Sequence, residues 1–161
     1  MQNYVLSVLV RNHAGVLSRV TGLFGRRGYN IESLSVAATQ RPELSRITLV
    51  VRGDDYLLEQ VIKQVRKLEE VLSVRPLTEE QSVSRELLLI KFGIGEDASG
   101  LIRALNPFGA RVVDLSPGSL IAELTGPPRE VDRFLEALAP FGPAEVCRTG
   151  LTALARGEDP A

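Results

Sequence analysis

From Tyr4 to Val10 the chain is apolar almost without a break (YVLSVLV) and rich in β-branched residues, which predicts a buried strand within Gln2–Arg11. Turn-forming residues, Asn12-His13-Ala14-Gly15, then interrupt the run. Leu17, Val20, Leu23 and Phe24 follow at helical spacing and predict a helix over Gly15–Arg27 with one buried face. Gly25 and Gly28 end that helix, and Arg26 and Arg27 fall in its last turn, where cations suit the helix dipole. Tyr29-Asn30-Ile31 opens a second strand, Asn30–Ala38.

A loop at Thr39–Glu43 leads to a strand at Leu44–Arg52. There Ile47, Leu49 and Val51 alternate with Arg46, Thr48 and Arg52, as in a sheet with one solvated face. Gly53-Asp54-Asp55 supplies a turn and an N-cap for a helix with Leu58, Val61, Ile62, Val65 and Leu68 as its stripe, and Val71–Leu77 is a strand. The order is βαββαβ, the ferredoxin-like pattern, with both helices on one sheet face. The polar, acidic stretch Thr78–Ser84 reads as a linker, after which the order repeats. Glu86–Phe92 is a strand, Gly93–Gly95 a turn, Ala98–Leu105 a helix and Arg111–Leu115 a strand. Pro117-Gly118 turns the chain into strand Leu120–Thr125, and Pro127-Pro128 opens a helix carrying Val131, Phe134, Leu135 and Leu138. Ala144–Gly150 closes the unit, and Arg156–Ala161 reads as a frayed tail. Gly28–Leu34 matches Gly109–Leu115 in position and partly in kind. The prediction is an α+β protein of two βαββαβ domains, residues 1–77 and 85–161, joined by 78–84, the second copy diverged from the first.

A length of 161 residues with 44% apolar and 24% charged residues suits two small packed domains. The net charge of −1 gives nothing to draw the chain to nucleic acid or anionic membrane. No apolar run reaches the ~18 residues of a membrane span, and no charged-then-apolar leader is readable, so the expectation is a cytoplasmic protein. Cys147, the one cysteine, excludes an internal disulfide and a cysteine-based metal site, and its apolar neighbours predict that it packs.

Few routes to catalysis are open. His13 is the single histidine, which excludes a multi-histidine metal site, and it reads as a turn residue lining a site. Glu69-Glu70 and Glu79-Glu80 read as solvated acidic faces. Arg26-Arg27 reads as a solvated helix end. There is no phosphate-binding glycine motif of Walker or GxGxxG type. The strand–glycine turn–helix at residues 11–17 is different. Its orphan amides and positive dipole end suit a carboxylate or phosphate, and a Cβ at Gly15 would push such a ligand away. The alternative is that Gly15 only makes the turn and the amides face water.

Asn12–Gly15, Leu17-Ser18-Arg19-Val20 and Arg27-Gly28-Tyr29-Asn30-Ile31-Glu32-Ser33-Leu34 together resemble the N-terminal ACT domain of the acetolactate synthase (acetohydroxyacid synthase) small-subunit family. The likeness extends through Arg85-Glu86-Leu87 to Arg148-Thr149-Gly150 and Ala155-Arg156-Gly157, and thins at Gly93–Ala98 and near Pro140. It implies a non-catalytic regulatory subunit that binds and activates a catalytic subunit carrying thiamine diphosphate, Mg²⁺ and FAD, with no cofactor of its own; binding of a divalent ion stays open. It further implies a homodimer in which N-terminal domains pair edge to edge and hold a branched-chain amino acid, mainly valine, as feedback inhibitor. Carried over by position, Asn12, His13, Ala14, Gly15, Val16 and Leu17 meet the effector. Asn30 and Ile31 come from the partner chain, Asn30 as a polar hook. Val16 stands where many relatives carry alanine, extra bulk for the side-chain pocket. Other readings of the strand order are a different ACT-type amino-acid sensor, or an acylphosphatase-like enzyme, which also cradles an anion at such a turn. A nucleic-acid module of RRM type needs more aromatic residues than the 5% here.

Overall fold

Alternation within the first ten residues decides which way β1 (Gln2–Arg11) faces: Leu6, Val8 and Val10 are buried under the helices, and Val5, Ser7 and Leu9 point to the other side of the sheet. The computed structural model describes residues 2–95 and 98–157. Helix α1 (Val16–Arg27), β2 (Ile31–Ala38), β3 (Leu44–Gly53), α2 (Asp55–Val65) and β4 (Val71–Leu77) follow, and the strands form an antiparallel sheet in the order β2-β3-β1-β4. Val16, Val20, Leu23 and Phe24 of α1 and Val61 and Val65 of α2 pack on Leu6, Val8, Val10, Ile47, Leu49 and Val51. Asp54 caps α2 by accepting from the Leu57 amide at 2.8 Å, as the sequence predicts.

The second half repeats this order: β5 (Ser82–Gly93), α3 (Ser99–Leu105), β6 (Arg111–Ser116), β7 (Ser119–Gly126), α4 (Pro128–Leu138) and β8 (Glu145–Arg148), in a sheet ordered β6-β7-β5-β8. The repeat reaches the backbone. Gly28 (φ +68°) and Gly109 (φ +65°) hold matching left-handed positions, and each following strand carries its register shift at the matching place, between Ile31 and Ser33 and between Val112 and Asp114. Gly53 and Gly126 mark equivalent strand ends: a Cβ there would meet Leu57 Cδ1 or Glu130 Oε2 at 2.9 Å, in each case four residues on.

Three expectations are corrected. The linker at 78–84 shortens, because β5 already begins at Ser82, whose Oγ donates to the Thr78 carbonyl at 2.6 Å. Cys147 lies on edge strand β8, all four of whose residues are exposed, so it does not pack. Glu70 is buried, not solvated.

A further strand, β9 (Thr152–Ala155), pairs with β5. The chain therefore divides differently from the sequence reading: one unit runs to Val83 and regains the chain from Gly150, and the other is 84–149. In the first unit Leu151 and Ala153 are buried, and the Leu151 amide donates to Ser33 Oγ at 2.9 Å. Ser33 and Ser35 lie opposite Val50 and Thr48, on the face away from the helices, so residues 150–153 cross that face. The tail expected at 156–161 lies, beyond Gly157, outside the described residues.

Candidate functional site

The turn after β1 is held from behind. The Asn12 amide donates to the Glu43 carbonyl at 2.7 Å, and Asn12 Nδ2 donates to the Pro42 carbonyl at 2.8 Å, so the loop between β2 and β3 backs residues 12–15. Gly15 then takes φ +89°, a left-handed conformation that other residues adopt only at a cost. Gly15 is the N-cap of α1 and offers no side-chain cap. The Val16 amide reaches the His13 carbonyl at 3.4 Å and the Arg19 amide the Gly15 carbonyl at 3.0 Å; among the described backbone bonds, none takes the Leu17 or Ser18 amide. Orphan donors and a positive dipole end therefore sit together at an exposed surface. A Cβ at Gly15 would meet nothing within 4 Å, so the turn opens outward.

Beside the turn is an open cavity of about 460 Å³, lined by Asn12 and His13 together with Arg11, Arg41, Glu43 and Leu72. His13 Nδ1 lies 3.2 Å from the Ala14 carbonyl, which can only accept, so a bond there uses Nδ1 as the donor. Leu17 is an exposed apolar side chain in the first turn of α1. Val16 is placed otherwise: at 4% exposure it belongs to the core with Val20 and Phe24, so its bulk fills the interior and not the cavity.

Asn30 and Ile31 are not brought to this turn. Ile31 pairs with Val51, which pairs with Tyr4, whereas the turn follows Arg11. The two groups sit at opposite ends of one sheet, roughly 25 Å apart at about 3.4 Å per strand residue. The glycine of RGYN explains the placement of Asn30. The Tyr29 amide donates to the Phe24 carbonyl at 3.0 Å and the Gly28 amide to the Gly25 carbonyl at 3.2 Å, the paired bonds of a Schellman ending. The Tyr29 ring packs edge-on against Phe24. Strand β2 is thus launched at a fixed angle with Asn30 exposed at its start, where Nδ2 donates to Glu32 Oε1 at 2.9 Å. Ile31 is half-buried against the core.

One contact escaped sequence reasoning. Arg19, in the second turn of α1, donates to the buried carboxylate of Glu70, and the Glu70 carbonyl accepts from the Arg11 amide at 2.9 Å. The pair ties α1 to both ends of the turn. Its only sequence signal is Arg19 within the SRV motif, and Glu69-Glu70 gives no sign of which carboxylate turns inward. The second domain does not reproduce the glycine N-cap: α3 begins after Ala98, at φ −98°.

Comparison with known proteins agrees with this architecture. Residues 6–73 match the family described as AHAS small subunit-like ACT domain, and residues 85–157 the family described as small subunit of acetolactate synthase. The chain is 48% identical to the probable acetolactate synthase small subunit of Archaeoglobus fulgidus, over 96% of this chain and 97% of that one. It is 45% identical to the acetolactate synthase small subunit of Mycolicibacterium smegmatis, over 96% and 91%. The crystal structure of the acetolactate synthase small subunit from Thermotoga maritima superposes with a TM-score of 0.91 at 37% identity, covering 99% of this chain and all of that one. Two ferredoxin-like domains, the glycine-capped turn and full-length similarity lead to one assignment: the chain belongs to the family of acetolactate synthase small subunits.

Proposed function

We propose that this chain is the non-catalytic regulatory partner of an acetolactate synthase catalytic subunit, activates it, and confers feedback inhibition by valine held between the N-terminal domains of two copies. The carrying observation is the left-handed Gly15 N-cap, whose uncapped helix end opens beside the cavity at Asn12 and His13. A free amino acid presents a carboxylate, which suits those amides, and an apolar side chain, which suits exposed Leu17. The separation of Asn30 and Ile31 from the turn supports a site shared between copies. Antiparallel pairing of two β2 edges about their midpoint sets residues 30–31 of one copy at the 38–39 end of the other, beside its turn. Asn30 carries both a donor and acceptor and would bind the ammonium or carboxylate. Thiamine diphosphate, Mg²⁺ and FAD belong, in this reading, to the catalytic partner.

Feedback follows only if valine prefers the poorly active state of the complex, since equal affinity for both states shifts nothing. The test is the reconstituted complex carrying Gly15→Asp. Asp tolerates left-handed φ better than most residues and its Cβ meets open space, so the cost is confined to backbone strain at φ +89°, while its charge opposes the effector carboxylate. The expected enzyme is active and insensitive to valine; full retention of valine inhibition would refute the site.

A further inference from the structure

On the sheet face opposite the helices, three arginines converge. Arg46 of β3 and Ser73 of β4 both lie opposite Leu9 of β1, and Arg75 of β4 lies opposite Ser7. These side chains, with Thr39 and Arg41 from the loop after β2, line a cavity of about 200 Å³. No carboxylate is among the described residues that line it. Arg46 Nη1 donates to Ser7 Oγ at 2.8 Å, which fixes one guanidinium over the sheet. For Arg41 and Arg75, no side-chain ion pair or hydrogen bond exists among the described residues. The Arg41 and Arg75 guanidiniums, of like charge on one concavity, repel each other unless an anion joins them.

From this we infer a binding site for a small multivalent oxyanion, of the phosphate or dicarboxylate class, next to the amino-acid turn and sharing Arg41 with the cavity there. Guanidinium forks match both kinds of oxyanion with paired N–H donors. The Ser73 hydroxyl adds a neutral donor at the cavity wall, whereas the Thr39 hydroxyl already donates to the Arg41 carbonyl at 3.1 Å. The loop that carries Arg41 is itself ordered: the Thr39 amide donates to the Leu44 carbonyl at 2.9 Å and the Arg41 amide to Thr39 Oγ1 at 3.1 Å. Arg41 is therefore presented by a closed hairpin loop and not by a loose segment. The same loop backs Asn12 through Pro42 and Glu43.

The test is isothermal titration of the full chain with inorganic phosphate, pyrophosphate and succinate, each at ionic strength matched with potassium chloride. Saturable binding of at least one is expected, and the preference between the phosphates and succinate identifies the class. Arg75→Gln and Arg41→Gln should each weaken it by about tenfold, the loss of one charge-assisted contact. Arg52→Gln, an exposed position at the far end of the same strand face, should leave it unchanged, as should Gly15→Asp. Absence of saturable heat with all three anions would overturn the inference. So would equal affinity in Arg75→Gln and Arg52→Gln, or loss of binding in Gly15→Asp.

Discussion

Gly150 is where the chain returns to the first domain, and it admits no side chain. A Cβ at that position would lie 2.6 Å from the Leu34 carbonyl oxygen, 2.7 Å from Ser35 Oγ and 2.8 Å from the Leu34 carbonyl carbon. Two of the three are backbone atoms of β2 and cannot swing aside, so Gly150→Ala must lift the segment off the sheet. What it stands to lose is the burial of Leu151 and Ala153, at 4% and 1% exposure, and the bond from the Leu151 amide to Ser33 Oγ. Full burial of a leucine contributes about 2 kcal/mol and of one methyl about 0.8 kcal/mol. With about 1 kcal/mol for the hydrogen bond, complete release costs about 4 kcal/mol. Partial accommodation of an overpacked methyl brings the expected cost to about 2–3 kcal/mol. At about 3 °C per kcal/mol for a chain of this size, Tm falls by roughly 6–9 °C. Thermal and guanidinium unfolding read the change, and amide exchange should show the loss of protection concentrated at residues 150–156. A variant within about 0.5 kcal/mol of wild type, the range of ordinary surface substitutions, would refute the claim that residues 150–153 are built into the first domain.

Gly25→Ala, inside α1 with nothing within 4 Å of the new Cβ, should stabilise by about 0.5–1 kcal/mol, read in the same unfolding assays; destabilisation would contradict the open helix face. Arg19→Met should cost about 3 kcal/mol, because it leaves the buried Glu70 carboxylate unpaired, whereas Glu70→Gln leaves behind an arginine whose side chain is 64% exposed and should cost clearly less. Equal losses in that pair would show that burial of Glu70 does not govern the contact. Arg148 donates through Nε to Glu86 at 2.7 Å and through Nη1 to Asp132 at 2.7 Å. Burial presses its pKa down, but the two carboxylates outweigh this and raise it, so the group stays cationic. Arg148→Lys keeps the charge and loses the fork, and should still cost about 1–2 kcal/mol of stability; full rescue by lysine would argue against a geometric role.

Most of both folds was legible because each helix carries an apolar stripe and each central strand an alternation that only one sheet face can satisfy. Gly28 and Gly109 announced the repeat, and their shared left-handed geometry bears that out. Strand β9 was not legible. Thr152-Ala153-Leu154-Ala155 has little β-branched content, and it becomes a strand only because β5 offers an edge. Glu70 was hidden for a related reason: adjacent acids look alike in sequence, and only the packing of α1 decides which one is enclosed. Val16 looked like a pocket residue, yet the helix phase set by Val20 and Phe24 turns it inward. The turn itself was readable through Gly15. Its relation to Asn30 and Ile31 depends on a second chain, which a single sequence cannot place.

Thermal unfolding of the isolated protein and of Gly15→Asp across a valine titration decides whether that turn senses an amino acid. A ligand that binds only the native state adds about 2.7 kcal/mol at one hundred times its dissociation constant. That corresponds to a rise in Tm of roughly 5–10 °C. Wild type should show this rise with valine, and Gly15→Asp should lose it. An unchanged Tm in both proteins, or an equal rise in both, would contradict a sensor at that turn.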